Sequence, residues 1–260
     1  MPSWPVTFQG ALFCANRRDK RNMPHRQQHR GKHPEDNKLF ADACLPVLRE
    51  AVMDLSLLLS KGYSPDPSLA LVGDHFQLDV RQRRAVARAA CSDEAIERRK
   101  AHRVPVETLK GSRVIIDGYN FLIMIESLLG GSILIRGRDG CVRDLASVHG
   151  SYRYVEETLP AIDLAGRVLR LFGVGHAEWL LDAPVSNSGR LKALLLDQAA
   201  ERGWAWDARL SRNVDTVLAQ SREIVVTSDG WILDRAQRWV NLADHLVERL
   251  KQPVRILDLG

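Results

Sequence analysis

Three times in this chain a run of apolar, β-favouring residues stops at an aspartate: VIIDGYN at 114–120, AEWLLD at 177–182 and IVVTSDG at 224–230. Runs this short and this apolar predict strands covered on both faces, as the strands of a parallel sheet are. In an open α/β sheet the carboxyl ends of the strands face the ligand crevice. Asp117, Asp182 and Asp229 are therefore expected where such folds do their chemistry. A fourth acid, Asp215, opens a short helix in RNVD just before the third strand. Each aspartate taken singly also fits a helix N-cap, but capping does not explain why all four fall on one side of the sheet.

Packed carboxylates repel one another unless they share protons or hold a cation. Oxygen ligands with no Cys or His nearby favour Mg²⁺ or Mn²⁺ over zinc. Such ions activate water and bridge phosphate oxygens. The expected activity is metal-dependent cleavage of nucleic acid, with Asp117, Asp182, Asp215 and Asp229 as catalytic residues.

The surrounding pattern supports that placement. From residue 104 strands are expected at 113–116, 132–135, 177–181, 204–209, 224–227 and 254–257. Helices are expected at 152–172, 188–202, 214–220, 230–238 and 242–250. This alternation predicts an α/β region over 104–260, a mostly parallel sheet with helices on both faces. Residues 33–103 instead keep a helical period and predict a small all-α domain. In it Pro46 is expected to kink a helix, Gly62 to close it, and Asp66 with Pro67, Asp79 and Ser92 to open later ones. Its later helices carry Arg81, Arg83, Arg84, Arg88, Arg98, Arg99 and Lys100, expected on an exposed face that is either solvated or in contact with RNA.

Residues 1–32 lack periodicity and are expected to be a disordered basic tail. Residues 1–38 hold eight Lys or Arg against three Asp or Glu, which is the whole net charge of +5, so the remainder is balanced. His25, His29 and His33 keep an i, i+4 spacing, but Pro24, Gly31 and Pro34 argue against a helix that would align them. Four scattered cysteines without a Cys-x-x-Cys pair read as reduced thiols and place the chain in the cytoplasm. No apolar run is long enough to cross a bilayer, so no membrane partner is expected.

Two loops complete the candidate site. Asp139 and Asp144, in RGRDGCVRD, lie where Gly137 and Gly140 allow a loop to approach the acids, although a turn followed by a cap fits equally. Ser186, Asn187, Ser188, Arg190 and Lys192 surround a helix start that reads either as a phosphate seat or as an ordinary helix entry.

VIIDGYN, LLDAPVS, RNVD and VVTSDG, in that order, resemble the PIN-like nuclease superfamily, with its NYN and flap-endonuclease branches. RGKHPED, LLLSKGY, LVGDHFQL and QRRA resemble a prokaryotic family, domain of unknown function 434, in which a small helical domain precedes such a half. The resemblance implies a PIN-like, Rossmann-like fold, Mg²⁺ or Mn²⁺ at Asp117, Asp182, Asp215 and Asp229, and a nucleic-acid substrate, RNA before DNA. It matches Asn120 to the amide after the first acid and Ser228 to the hydroxyl before the last, and it implies one further acidic metal ligand, for which Asp139 and Asp144 are favoured over the competing Glu126 and Glu156. A protein partner could engage the helical domain, and the oligomeric state stays open.

A haloacid-dehalogenase-type phosphatase would need an aspartate where Tyr119 stands, and a dinucleotide-binding domain would need a glycine-rich turn that IDGYNFL lacks. The rival of another class is a non-catalytic RNA-binding or scaffold protein with an idle acidic site, because fold does not fix function.

Overall fold

A computed structural model of the 260-residue chain describes residues 29–146, 152–250 and 253–260. The helical region holds α1 (Asp36–Leu39), α2 (Leu45–Ser60), α3 (Pro65–His75), α4 (Val80–Ala89) and α5 (Asp93–His102). Local chemistry sets their ends. Pro46 lies in the first turn of α2 and opens that helix instead of kinking it, since its missing N–H is unneeded there. Gly62, at φ 82°, follows the end of α2. The third helix starts two residues earlier than expected, with Ser64 at its N-cap position and Pro65 as its first residue. At α4 the Gln82 side chain accepts from the Asp79 N–H at 3.0 Å, and at α5 Ser92 Oγ accepts from the Ala95 N–H at 3.1 Å.

The α/β region runs β1 (Arg113–Asp117), α6 (Gly118–Leu129), β2 (Leu134–Arg136), β3 (Val142–Asp144), α7 (Thr158–Leu171), β4 (His176–Asp182), α8 (Ser188–Arg202), β5 (Trp206–Ser211), α9 (Val214–Ala219), β6 (Ile224–Val226), α10 (Gly230–Leu233), β7 (Trp239–Val240), α11 (Ala243–Val247) and β8 (Ile256–Asp258). Five strands form one parallel sheet in the order β5-β4-β1-β6-β7. The expected strands near 132–135 and 254–257 exist as β2 and β8 but belong elsewhere. With β3 they form a second, three-stranded sheet in which β2 runs antiparallel to β3 and parallel to β8. The expected helix at 230–238 is only the short α10, because the chain must straighten to deliver Trp239 and Val240 to the sheet edge as β7.

Strand alternation sorts the core. Val114 and Ile116 of β1, Trp179 and Leu181 of β4 and Val226 of β6 pack in one cluster with α6, α7 and α11. Ile115, Leu180 and Val225 pack in another, with Val214 and Leu218 of α9 and Ile232 of α10. The period of two carries that assignment to the last residues of β1 and β4 and one step past β6. Asp117, Asp182 and Thr227 therefore share the α9–α10 face.

A third cluster joins the helical region to the second sheet. Leu48, Val52 and Leu55 of α2 and Val86 of α4 pack with Ile133, Ile135, Leu145, Leu257 and Leu259. The boundary expected between residues 103 and 104 lies inside a molecule whose helical part shares its apolar core with later segments. The expected tail also ends earlier than residue 32. Arg30 is buried, its Nε 2.7 Å from Glu126 Oε2, and His29 Nδ1 lies 2.6 Å from Glu157 Oε1. Residues 1–28, His25 included, lie outside the described residues. Among the described residues no helix is long and apolar enough to cross a membrane.

Candidate functional site

Chain order reverses between β1 and β6, since β4 and β5 lie to one side of β1 and β6 and β7 to the other. Such a switch point opens a crevice at the carboxyl ends of the strands. A cleft of about 450 Å³ lies here, lined by Asp117, Asp182, Asp215 and Asp229, with Asn120 and Tyr119 from the start of α6. Asp144 of β3 and Arg88 of α4 line it from the second sheet and the helical region.

Asp117 occupies the N-cap position of α6 yet makes no side-chain cap bond. Register explains what it does instead. Ile116 pairs with Val226, which sets Thr227 beside Asp117, and Thr227 Oγ1 donates to Asp117 Oδ2 at 2.8 Å. Gly118 must be glycine, because a Cβ there would lie 2.5 Å from the Leu180 carbonyl oxygen. Burial pushes the Asp117 carboxyl up to about 7, against the Thr227 hydrogen bond and with the help of the charges on Asp229 and Asp215.

The other acids respond to the same crowding. Burial raises Asp182 and the charge of Asp215 adds to it, while Asp215 is itself raised by burial and then by Asp229. Asp229 does cap its helix, its Oδ1 accepting from the Trp231 and Ile232 N–H groups at 2.9 and 3.3 Å. Asp144 is buried and its Oδ1 has no hydrogen-bond partner. Burial raises it too, opposed first by the charge of Arg88. Among the described residues none of these five carboxylates is in an ion pair. Their oxygens suit a hard cation. Yet among the described residues no three His, Cys, Asp or Glu side chains stand close enough together to clasp an ion as they are.

The remaining expected residues divide. Asn120 Oδ1 accepts from the Ser228 N–H at 3.1 Å and from Ser228 Oγ at 2.8 Å, so the two resemblance-derived residues are a bonded pair at the cleft. Asp139 is not at the cleft. Its carboxylate is held by Arg143 at 2.5 Å and Arg99 at 2.6 Å, and the Gly137–Gly140 turn docks on the end of α4, where Arg138 N–H donates to the Ala89 carbonyl at 3.0 Å. Two guanidiniums leave Asp139 no role as a metal ligand. Glu126, the rival for that part, is buried against Arg30, Tyr152 and Thr158.

The 186–192 segment behaves as a helix entry. Asn187, at φ 70°, donates through Nδ2 to the Tyr152 carbonyl at 2.9 Å, the Ser186 carbonyl accepts from the Tyr152 N–H, and Ser188 is buried. None of Ser186, Asn187, Ser188, Arg190 and Lys192 lines the cleft, although Pro184 and Val185 just before them do.

The basic helical face is largely spent as well. Arg81 pairs with Asp36, Arg83 with Asp74, Arg98 with Glu94, and Arg99 is buried between Asp139 and Asp234. Only Arg88 of that group reaches the cleft, a role that its place in an arginine-rich helix did not signal. Thr227 was also missed, although its position in VVTSD, two residues before an acid, could have suggested it.

Fold and site together define an α/β protein with an acid-lined cleft at the switch point of a parallel sheet, to which a helical region contributes Arg88. Residues 106–245, more than half of the chain, match the family described as Domain of unknown function (DUF5616), and the chain belongs to it. Residues 47–102 match Protein of unknown function (DUF434). The Uncharacterized protein MJ0935 of Methanocaldococcus jannaschii is 30% identical over 207 residues, which cover 79% of this chain and 99% of that relative. No solved structure matches the chain. Neither family match is to a PIN-like nuclease.

Proposed function

We propose that this protein is a PIN-like nuclease that hydrolyses phosphodiester bonds in single-stranded or structured RNA with Mg²⁺ or Mn²⁺. The observation that carries the reading is the convergence of four aspartates, in no ion pair among the described residues, on one cleft at the carboxyl ends of a parallel sheet, at its switch point. Unneutralised carboxylates raise one another's pKa and cost stability, a burden usually kept where it serves chemistry. The choice of RNA over DNA rests on family resemblance. A cytoplasmic location suits the free thiols of Cys44, Cys91 and Cys141.

Asp117, Asp182, Asp215 and Asp229 would hold the ion, with the bare Oδ1 of Asp144 as a further donor. When bound, such an ion supplies an activated water and neutralises charge on phosphate oxygens. The chain's own groups do the rest. Thr227 orients the Asp117 carboxyl by donating to its Oδ2. Asn120, its Oδ1 occupied by Ser228, turns its NH₂ end to a substrate oxygen. The buried Tyr119 hydroxyl, which has no partner, is a second donor.

Mn²⁺-dependent cleavage of a labelled single-stranded RNA by the wild type, lost about a hundredfold or more in Asp117→Asn, is the expected result. Wild-type turnover that is absent, or equal in the mutant, would sink the proposal. That no three ligating side chains stand together among the described residues favours one second reading, an RNA-binding protein with an idle acidic site. Retained RNA binding with no cleavage in Mn²⁺ would select it.

A further inference from the structure

A second cavity, of about 240 Å³, adjoins the acid cleft and shares Arg88 and Asp229 with it. Its other lining residues include Arg99, Arg143 and Gly230. Arg99 and Arg143 are 6% and 3% exposed, so two buried guanidiniums border an open space. Their orientation is set from behind. Arg99 bonds Asp234 at 2.7 Å, Asp139 at 2.6 Å and the Gly230 carbonyl at 3.1 Å, while Arg143 bonds the Ser228 carbonyl at 2.7 Å and both oxygens of Asp139. A guanidinium has more N–H donors than these bonds use. Arg88 is far less committed. Among the described residues it makes one hydrogen bond, 3.5 Å long, to the Ala146 carbonyl, and no ion pair.

We propose that Arg88, Arg99 and Arg143 form an anion subsite for a second phosphate of the substrate, next to the phosphate held at the aspartates. The proposal rests on the nuclease reading for what the neighbouring cleft does, but the subsite itself stands on the arginines. Buried, preoriented guanidiniums are the usual recognition groups for phosphate oxygens. Asp229 opposes an anion here. Its Oδ1 is engaged by two N–H groups of α10, which spends part of its charge away from the cavity. The substrate class that follows is a polynucleotide or oligonucleotide with phosphates on both sides of the same nucleoside. A phosphomonoester with a single phosphate would leave one site empty. Since Arg88 belongs to α4, the helical region supplies part of the binding site.

Arg99 and Arg143 knit the molecule together, so the test uses Arg88. Inorganic phosphate is titrated calorimetrically into the full chain in chelator, for wild type, Arg88→Ala, Arg88→Lys and the surface control Arg98→Ala, each checked for an unchanged melting temperature. Saturable binding is expected in the wild type and the control, about tenfold or more weaker in Arg88→Ala and partly restored in Arg88→Lys. No saturable binding by the wild type, or equal binding by Arg88→Ala, overturns the subsite. A parallel Mn²⁺ titration without phosphate keeps the two ideas apart. Loss of Mn²⁺ binding with phosphate binding intact rejects the metal site and keeps the subsite. The reverse pattern rejects the subsite alone.

Discussion

Two buried carboxylates from neighbouring parts of this molecule meet opposite fates. Burial alone would raise Asp139, but the hydrogen bonds and charge of Arg143, then the charge of Arg99, outweigh it and hold the carboxyl well below the usual range. Asp117 is buried to a similar degree and has one hydroxyl donor, so burial prevails and its carboxyl rises to about 7. The chain neutralises a buried acid where it fastens α5 to the sheet region and leaves others unneutralised where a cleft opens. A buried carboxylate is thus a fastener or a reactive group according to the company it keeps, and the difference is measurable.

The largest effect is expected at the fastener. Asp139→Ala leaves Arg143 buried and unpaired and Arg99 with Asp234 alone, and should lower unfolding free energy in urea by about 3 to 5 kcal/mol. A loss below about 1 kcal/mol would mean that the junction does not depend on this acid.

Next comes the cleft itself. Mn²⁺ at roughly a hundred times its dissociation constant should stabilise the wild type by about 3 kcal/mol over chelator, and Asp117→Asn should abolish that gain. Superimposable melting curves with and without Mn²⁺ would remove the carboxylates as an ion site.

The metal-free protein gives a smaller effect of opposite sign. Asp117 has a folded pKa of about 7 against an ordinary 3.8, so the folded state binds more protons across that window and stability falls as pH rises through it. Asp117→Asn should match the wild type near pH 4 and exceed it by on the order of 1 to 2 kcal/mol at pH 8, because Asn still accepts the Thr227 hydrogen bond. A mutant less stable at pH 8 would make Asp117 a structural residue. The smallest effect belongs to an exposed pair, Arg98 with Glu94. Glu94→Gln should change stability by less than about 0.5 kcal/mol at any pH above 5, which sets the scale for the others.

Much of the architecture could be read from the chain because its causes are local. An apolar run ended by Asp117, Asp182 or the Thr227–Asp229 segment predicts a strand end whether or not its partners are known, and the alternation of strands with helices predicts a parallel sheet. Asp79 and Ser92 were legible as caps for the same reason, since a cap is a bond to a residue two or three positions away. The second sheet was not legible. Its strands are three residues long, and over so short a run β2 and β8 read like members of the main sheet. Nor was β7, two residues long, distinguishable from a helix end.

By itself the sequence determined which residues are strand-end acids, because backbone propensity and hydrophobic period act over a few residues. Only the tertiary structure decided which acids stay unpaired. Asp139 and Asp144 lie five positions apart in one loop and look alike there, yet Asp139 meets Arg99, forty residues earlier, while Asp144 lines the cleft with no ion pair among the described residues. Likewise Arg88 and Arg99 belong to one basic run, and only packing made one a buried fastener and the other a wall of the cleft. Charge pairing depends on distance in space, and that distance is set by the whole fold.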